Sequence, residues 1–255
     1  MSNNTIIENA PTEVMALLPQ PPSKLALRYN CIHIVEWLFD NERKTGKELQ
    51  SFFHQHRPQV EVHFHEAHSP QDLLTALTKI AEHVECDKTF PIVHIEAHGD
   101  EDGEGLHGPA FNGADCAIDA EWDTLSYTSI GSYLLRINRA CKANLILFSA
   151  ACWGVNALLA AASGPIPFMV VVGPTVRVAP KNLLDATKEF YRNAFPSAGA
   201  TKTLDIVVDA ASLELGNPGD LEQSSMVHMT YEALIGAVWS KCVSVRPSHL
   251  CRDDP

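Results

Sequence analysis

Apolar positions along this chain fall into short runs that alternate between two periods. Cys31 to Phe39 is almost continuously apolar and predicts a buried strand. Thr45 to His56 carries Leu49, Phe52 and Phe53 at helical spacing, and Val60 to His65 alternates with period two, which predicts a second strand. Ser69-Pro70 opens a helix, with serine as cap and proline in the first turn, and Leu73, Leu74, Leu77 and Ile80 share one face. Phe90 to Ala97 is the next strand, and a turn-rich segment follows from His98 to Asp123. The pattern then predicts a helix over Ser126 to Cys141, a strand over Asn144 to Ala151, a short helix over Val155 to Ala162, a strand over Phe168 to Val172 and a helix over Lys181 to Ala194. After Thr201 the signal weakens to helices near Leu204 to Leu215 and Tyr231 to Trp239, separated by the turn Gly216-Asn217-Pro218-Gly219.

Strand and helix alternation of this kind predicts an α/β fold, a mostly parallel central sheet with helices on both faces. Residues 1–23 read as a polar N-terminal arm and residues 24–255 as a single domain. The apolar stretch from Leu145 to Gly173 is interrupted by Ser149, Asn156 and the turn from Ser163 to Pro167. Two strands around a short helix therefore fit it better than a membrane span.

The 255 residues carry a net charge of −12, with no basic patch, so nucleic acid is not an expected partner. The seven cysteines contain no C-x-x-C, which removes zinc-ribbon spacing, and their odd scatter suits a reducing cytoplasm. The start of the chain is polar and acidic, so no secretory signal is expected.

Chemistry concentrates at two strand ends. One strand runs into Glu96-Ala97-His98-Gly99-Asp100 and the other into Ala150-Ala151-Cys152-Trp153-Gly154. In parallel sheets, reactive groups gather outside the carboxyl ends of the strands. If the two strands are neighbours, His98 and Cys152 face one crevice. The imidazole can then take the thiol proton and later protonate a leaving amine. The amides of Gly99 and Cys152 are candidate donors to a tetrahedral oxyanion. The helix after Cys152 would further favour a thiolate through its dipole.

A strand ending in His-Gly, followed by a core strand ending in Ala-Cys-x-Gly, resembles the caspase-like cysteine peptidases, which include caspases, metacaspases and bacterial CHAT proteases. The likeness covers roughly residues 25–175, and Cys152 follows His98 by 54 positions. It implies a caspase-like α/β/α sandwich with Cys152 as nucleophile and His98 as acid and base. It also implies a cysteine endopeptidase acting on a protein substrate, in a bacterial stress, defence or regulated cell-death pathway, with an activating partner or regulator protein. Metacaspases carry an aspartate two positions before the cysteine, where it helps to bind a basic substrate residue. Alanine stands there in this chain, as Ala150. Neither the caspase nor the metacaspase cleavage preference is therefore carried over. The substrate-facing residues expected at these strand ends are Ala150, Asp100 and Arg177.

Other readings compete. His94, Glu96 and His98 share a face by period two, and His63 and His65 repeat the pattern on an expected neighbouring strand, so a metal-dependent hydrolase is one alternative. Glu96 is alternatively an orienting partner for a histidine. A non-catalytic scaffold or sensor that kept the fold is another. Gly103 to Gly108 matches G-x-G-x-x-G, but Pro109 follows it instead of a helix, and no cysteine has the arginine of a C-x5-R loop. His107-Gly108, a second His-Gly pair, reads as part of a loop. Eight carboxylates and no lysine or arginine lie between residues 100 and 123. That segment is a solvated loop, an attractor of basic substrate or a Ca²⁺ site. Arg177 would meet an acidic substrate residue or this acidic loop. No resident cofactor is expected, Ca²⁺ control being the one option kept.

Overall fold

The computed structural model describes residues 29–99, 101–110, 121–161, 165–195 and 226–230. Strand β1 (Cys31–Glu36) leads to helix α1 (Thr45–His56), β2 (Glu61–Glu66), α2 (Pro70–Asp87) and β3 (Pro91–Glu96). Three short strands follow, β4 (His98–Gly99), β5 (Gly105–Pro109) and β6 (Trp122–Ser126), and then α3 (Tyr127–Ala140). The last described part holds β7 (Ile146–Ala150), a 3-10 helix (Gly154–Ala161), β8 (Val170–Pro174), α4 (Pro180–Ala194) and β9 (Met226–Thr230).

The main sheet runs β2-β1-β3-β7-β8-β9, parallel except for the antiparallel edge strand β9. Every residue of β1, β3, β7 and β8 is buried, as expected of parallel strands covered on both faces. Alternate residues divide between two apolar layers. Val35, Val93, Ile95, Leu147 and Val171 pack with Leu77 and Ile80 of α2 and Leu134 of α3. Ile34, Ile92, Phe148 and Val172 pack on the other face with Phe53 of α1 and with Phe190 and Tyr191 of α4. The expected α/β architecture is therefore present. No helix among the described residues is long and apolar enough to cross a membrane.

Local chemistry explains the helix starts. Ser69 accepts a hydrogen bond from the Asp72 N–H at 3.1 Å with Pro70 opening the first turn, and Ser126 accepts from the Ser129 N–H at 3.1 Å. α1 lacks a side-chain cap of its own. Its first amides are satisfied from the sheet, where the buried Glu36 carboxylate accepts from Gly46 N at 2.7 Å and Lys47 N at 3.3 Å. Burial pushes the Glu36 carboxyl up, aided by Glu96, against the lowering effect of those two amides and Lys44.

Several boundaries differ from the sequence expectation. The segment after His98 is not simply turns. Its described parts form a second, antiparallel sheet in the order β4-β5-β6. Strands of two and five residues interrupted by Gly and Pro carry too little alternation to be seen in sequence. The expected short helix after Cys152 is a 3-10 helix, and β8 starts two residues later than expected. β9 occupies a stretch where no strand is expected. The arm over residues 1–23 and the two C-terminal helices expected near 204–215 and 231–239 lie outside the described residues.

Trp37 joins the two sheets. It is fully buried directly after β1, and its Nε1 donates to the Pro109 carbonyl of β5 at 3.0 Å. A Cβ on Gly108 would lie 2.6 Å from its ring, so only glycine lets β5 lie flat on the indole. Trp37→Ala is expected to cost about 3–5 kcal/mol of unfolding free energy by urea titration. Trp37→Phe, which keeps the packing but orphans the Pro109 carbonyl, should cost about 1–3 kcal/mol. Equal, small losses in both variants would show that the indole does not hold the sheets together.

Candidate functional site

β3 and β7 are hydrogen-bonded parallel neighbours, so the segments that follow them leave the same edge of the sheet. They also touch. A Cβ built on Gly99 would lie 2.1 Å from the Cys152 carbonyl oxygen and 3.2 Å from the Ala151 Cβ. The His98-Gly99 and Ala151-Cys152 backbones are thus in direct contact, and no other residue type fits at position 99 without moving one of them.

His98 is about one-third exposed, and its Nε2 lies 2.9 Å and 3.0 Å from the two carboxylate oxygens of Glu42. The tautomer that donates Nε2–H to that carboxylate would leave Nδ1 as the acceptor nitrogen of the ring. Glu42 is fixed in turn by the Phe39 N–H, which donates to its Oε2 at 2.9 Å. Burial alone would push the Glu42 carboxyl up. The hydrogen bond and charge of His98, with the Phe39 amide and Lys44, outweigh it, and the carboxyl lies below its ordinary value. The exposed Trp122 meets the His98 ring edge to face at 4.8 Å and Phe39 at 4.6 Å.

Cys152 is partly exposed, unlike the buried Cys31 and Cys141. Burial pushes the Cys31 thiol up to about 11 and raises that of Cys141, as expected of cysteines packed in a core. The Val178 N–H donates to Cys152 Sγ at 3.5 Å, and the Val178 carbonyl lies 3.7 Å from the sulfur. Trp153 has φ of 49°, a left-handed turn that swings the chain from β7 into the 3-10 helix, and its N–H donates to the Val176 carbonyl. Among the described residues the Cys152 N–H donates to no backbone carbonyl. His98 and Cys152 share no hydrogen bond there, the ring being held by Glu42 and the sulfur by Val178.

The remaining expected residues fare differently. Asp100 lies outside the described residues. Ala150 is 2% exposed and packs into the core on the α1 and α4 face, so it does not present a surface to substrate. Arg177 is exposed and makes no ion pair with the acidic segment among the described residues. His107, expected in a loop, instead stands opposite His98 in the β4–β5 ladder, with Nδ1 2.8 Å from Thr124 Oγ1. Both His-Gly pairs thus share one small sheet.

His94, Glu96 and His98 do not assemble. His94 Nε2 lies 2.9 Å from Glu96 Oε1, its Nδ1 lies 3.0 Å from the Tyr191 hydroxyl, and Thr45 Oγ1 donates to Glu96 Oε2 at 2.9 Å. All four are buried. This network ties β3 to α1 and α4, while the chain turns after Glu96 and carries His98 away to Glu42. Glu96 does orient a histidine, but that histidine is His94. β2 is not the neighbour of β3 either. It pairs with β1, which places His63 and His65 beside His33. Burial, reinforced by His63, His65 and His83, pushes the His33 imidazole down to about 2, and burial with His63, Lys79 and His83 pushes His65 down to about 4.

Glu42 and Trp122 are the site residues that sequence reasoning missed. Glu42 follows a turn just beyond β1, and the only signal was its place after the carboxyl end of a strand. No family model matches this sequence, and no curated protein matches it.

Gly99→Ala is expected to destabilise the protein by about 1–3 kcal/mol, measured by urea titration, through collision with the Cys152 carbonyl. Glu42 supplies a pH test. Its folded carboxyl binds a proton less tightly than the unfolded one, so its contribution is present above the ordinary carboxylate range and is lost as pH falls through the lowered value. Glu42→Gln should therefore flatten the acid side of the stability profile, and an unchanged acid slope would exclude the ion pair.

Proposed function

We propose that this protein is a cysteine endopeptidase of the caspase-like class, acting in the cytoplasm on a protein substrate. The observation that carries the reading is the backbone contact between Gly99 and Cys152 at the carboxyl ends of two adjacent parallel strands. That contact supports a thiol and an imidazole working on one peptide bond.

In this reading Cys152 Sγ attacks the scissile carbonyl, and the bond to the amine breaks as a thioester forms. His98, through Nδ1, takes the thiol proton and delivers it to the leaving amine. It then takes a proton from the water that attacks the thioester, and as the C–S bond breaks the acid product leaves and that proton returns to Cys152 Sγ. The developing oxyanion takes hydrogen bonds from the amides of Gly99 and Cys152. Glu42 holds the ring by Nε2 and stabilises the imidazolium, the positioning task of the third member of a nucleophile–base–carboxylate set. The ring and sulfur are separately tethered in the free protein, and such contacts commonly tighten when substrate arrives.

Trp122 offers an exposed aromatic face beside His98 for the apolar parts of a peptide. The loop bearing Glu101, Asp102 and Glu104 is exposed, and the Glu101 carbonyl accepts a 3.5 Å hydrogen bond from Asn156 in the 3-10 helix after Cys152. An acidic rim next to the nucleophile favours basic peptides over acidic ones.

The test is cleavage of a mixed peptide library, read by mass spectrometry. Cys152→Ala should abolish cleavage, and His98→Ala should lower it by roughly 10²–10⁴-fold. Glu42→Gln should lower kcat by roughly 10–100-fold with little change in KM. Cleavage that survives Cys152→Ala, or is lost on chelation and insensitive to thiol blockers, would overturn the proposal. A folded wild-type protein that cleaves no peptide would favour a scaffold.

A further inference from the structure

Away from the strand ends, four imidazoles gather at the β2 edge of the sheet, on the face covered by α2. His33 stands opposite His63 in the β1–β2 ladder, two residues before the Val35–His65 pair, and His83 reaches them from α2. His33 is 1% exposed. The His33 and His63 rings stack with centroids 4.6 Å apart, and the His83 ring meets His63 edge-on at 4.6 Å. One nitrogen from each of His33, His63 and His83 lies within 4.8 Å of the other two. The closest pair, His83 Nδ1 and His33 Nε2, are 3.0 Å apart.

We infer that His33, His63 and His83 form a binding site for a divalent transition metal, with Zn²⁺ the ion that fits it best. Three imidazoles from three different elements bring one nitrogen each to within 4.8 Å of the other two, so small side-chain rotations place all three on one tetrahedral ion. With Zn–N bonds of about 2.0–2.1 Å, tetrahedral ligands stand about 3.3 Å apart. The surroundings match the usual outer partners of metal-binding histidines. His33 Nδ1 lies 3.1 Å from His65 Nε2, His63 Nε2 lies 2.7 Å from Glu61 Oε1, and His83 Nε2 lies 3.0 Å from Asp87 Oδ2. Each of the three rings thus has one nitrogen held from outside, His63 and His83 by carboxylates as in carboxylate–histidine–zinc arrangements and His33 by the His65 imidazole. Glu61 Oε1 is also 3.7 Å from His83 Nε2, so this half-exposed carboxylate brackets two of the three ligands. Glu61 and Asp87 supply the negative charge that a dication needs. A nitrogen-rich set on a partly solvent-facing edge selects zinc-like ions over Ca²⁺ or Mg²⁺, which take oxygen ligands.

The site is independent of the peptidase reading. It lies on β1, β2 and α2, whereas Cys152 and His98 follow β7 and β3. Because Cys152, His98 and Glu42 could themselves take a soft metal, the test uses the full chain carrying Cys152→Ala. Metal-stripped protein is titrated with Co²⁺, read by visible absorption, and with Zn²⁺, read by calorimetry and by thermal unfolding. One equivalent should bind with tetrahedral-type cobalt bands, be displaced by Zn²⁺, and raise the unfolding temperature. His63→Gln and His83→Gln, both on partly exposed side chains, should each weaken binding by roughly 10–100-fold while the apo protein stays folded by circular dichroism. No stoichiometric binding, or equal affinity in wild type and in the His63→Gln/His83→Gln double variant, would overturn the inference. The four rings would then be a hydrogen-bonded histidine stack only.

Discussion

At Gly99 the chain comes so close to the Cys152 carbonyl that the space a side chain would occupy is already filled. The site depends on that contact more than on any hydrogen bond. It requires β3 and β7 to be neighbours with their carboxyl ends level, and it requires the small antiparallel sheet to start at once after β3. Because the second sheet starts there, His98 leaves the line of the buried strand residues and meets Glu42 and Trp122 instead of Glu96. Trp37 and Gly108 brace the same junction from below, where an indole lies flat against a backbone that has no Cβ.

Polar groups beneath the site do a different job. Glu36, His94, Glu96, Thr45 and Tyr191 are buried among mainly aliphatic and aromatic core residues. Glu36 caps α1 from inside the sheet, and the His94–Glu96 pair reaches both α1 and α4. Buried polar networks of this kind cost desolvation and gain geometric definition. Here they set where α1 begins, and so where the loop bearing Glu42 must pass between β1 and that helix.

Much of this architecture is legible in sequence, for physical reasons. α1 has the bounds that its apolar spacing implies, and α2 starts where Ser69-Pro70 requires. Fully buried parallel strands betray themselves as apolar runs, and the His98-Gly99 and Cys152 segments stood out because each broke such a run. What stayed hidden depends on partners distant in sequence. Glu42 orients His98 only because a turn after β1 passes the end of β3. The histidine cluster was split by the reading that set β2 beside β3, since period-two alternation reports a strand's two faces but not its neighbour in the sheet. The small sheet is short and rich in glycine, and its pairing is visible only in three dimensions.

The central claim is that His98 and Cys152 act on one reacting centre. Its most direct test is the rate at which a peptidyl thiol electrophile modifies Cys152, followed by peptide mapping so that the exposed Cys86 serves as internal control. The account predicts that His98→Ala slows modification of Cys152 by tenfold or more (about 1.4 kcal/mol) and leaves Cys86 unchanged. Equal rates at Cys152 with and without the imidazole would contradict it.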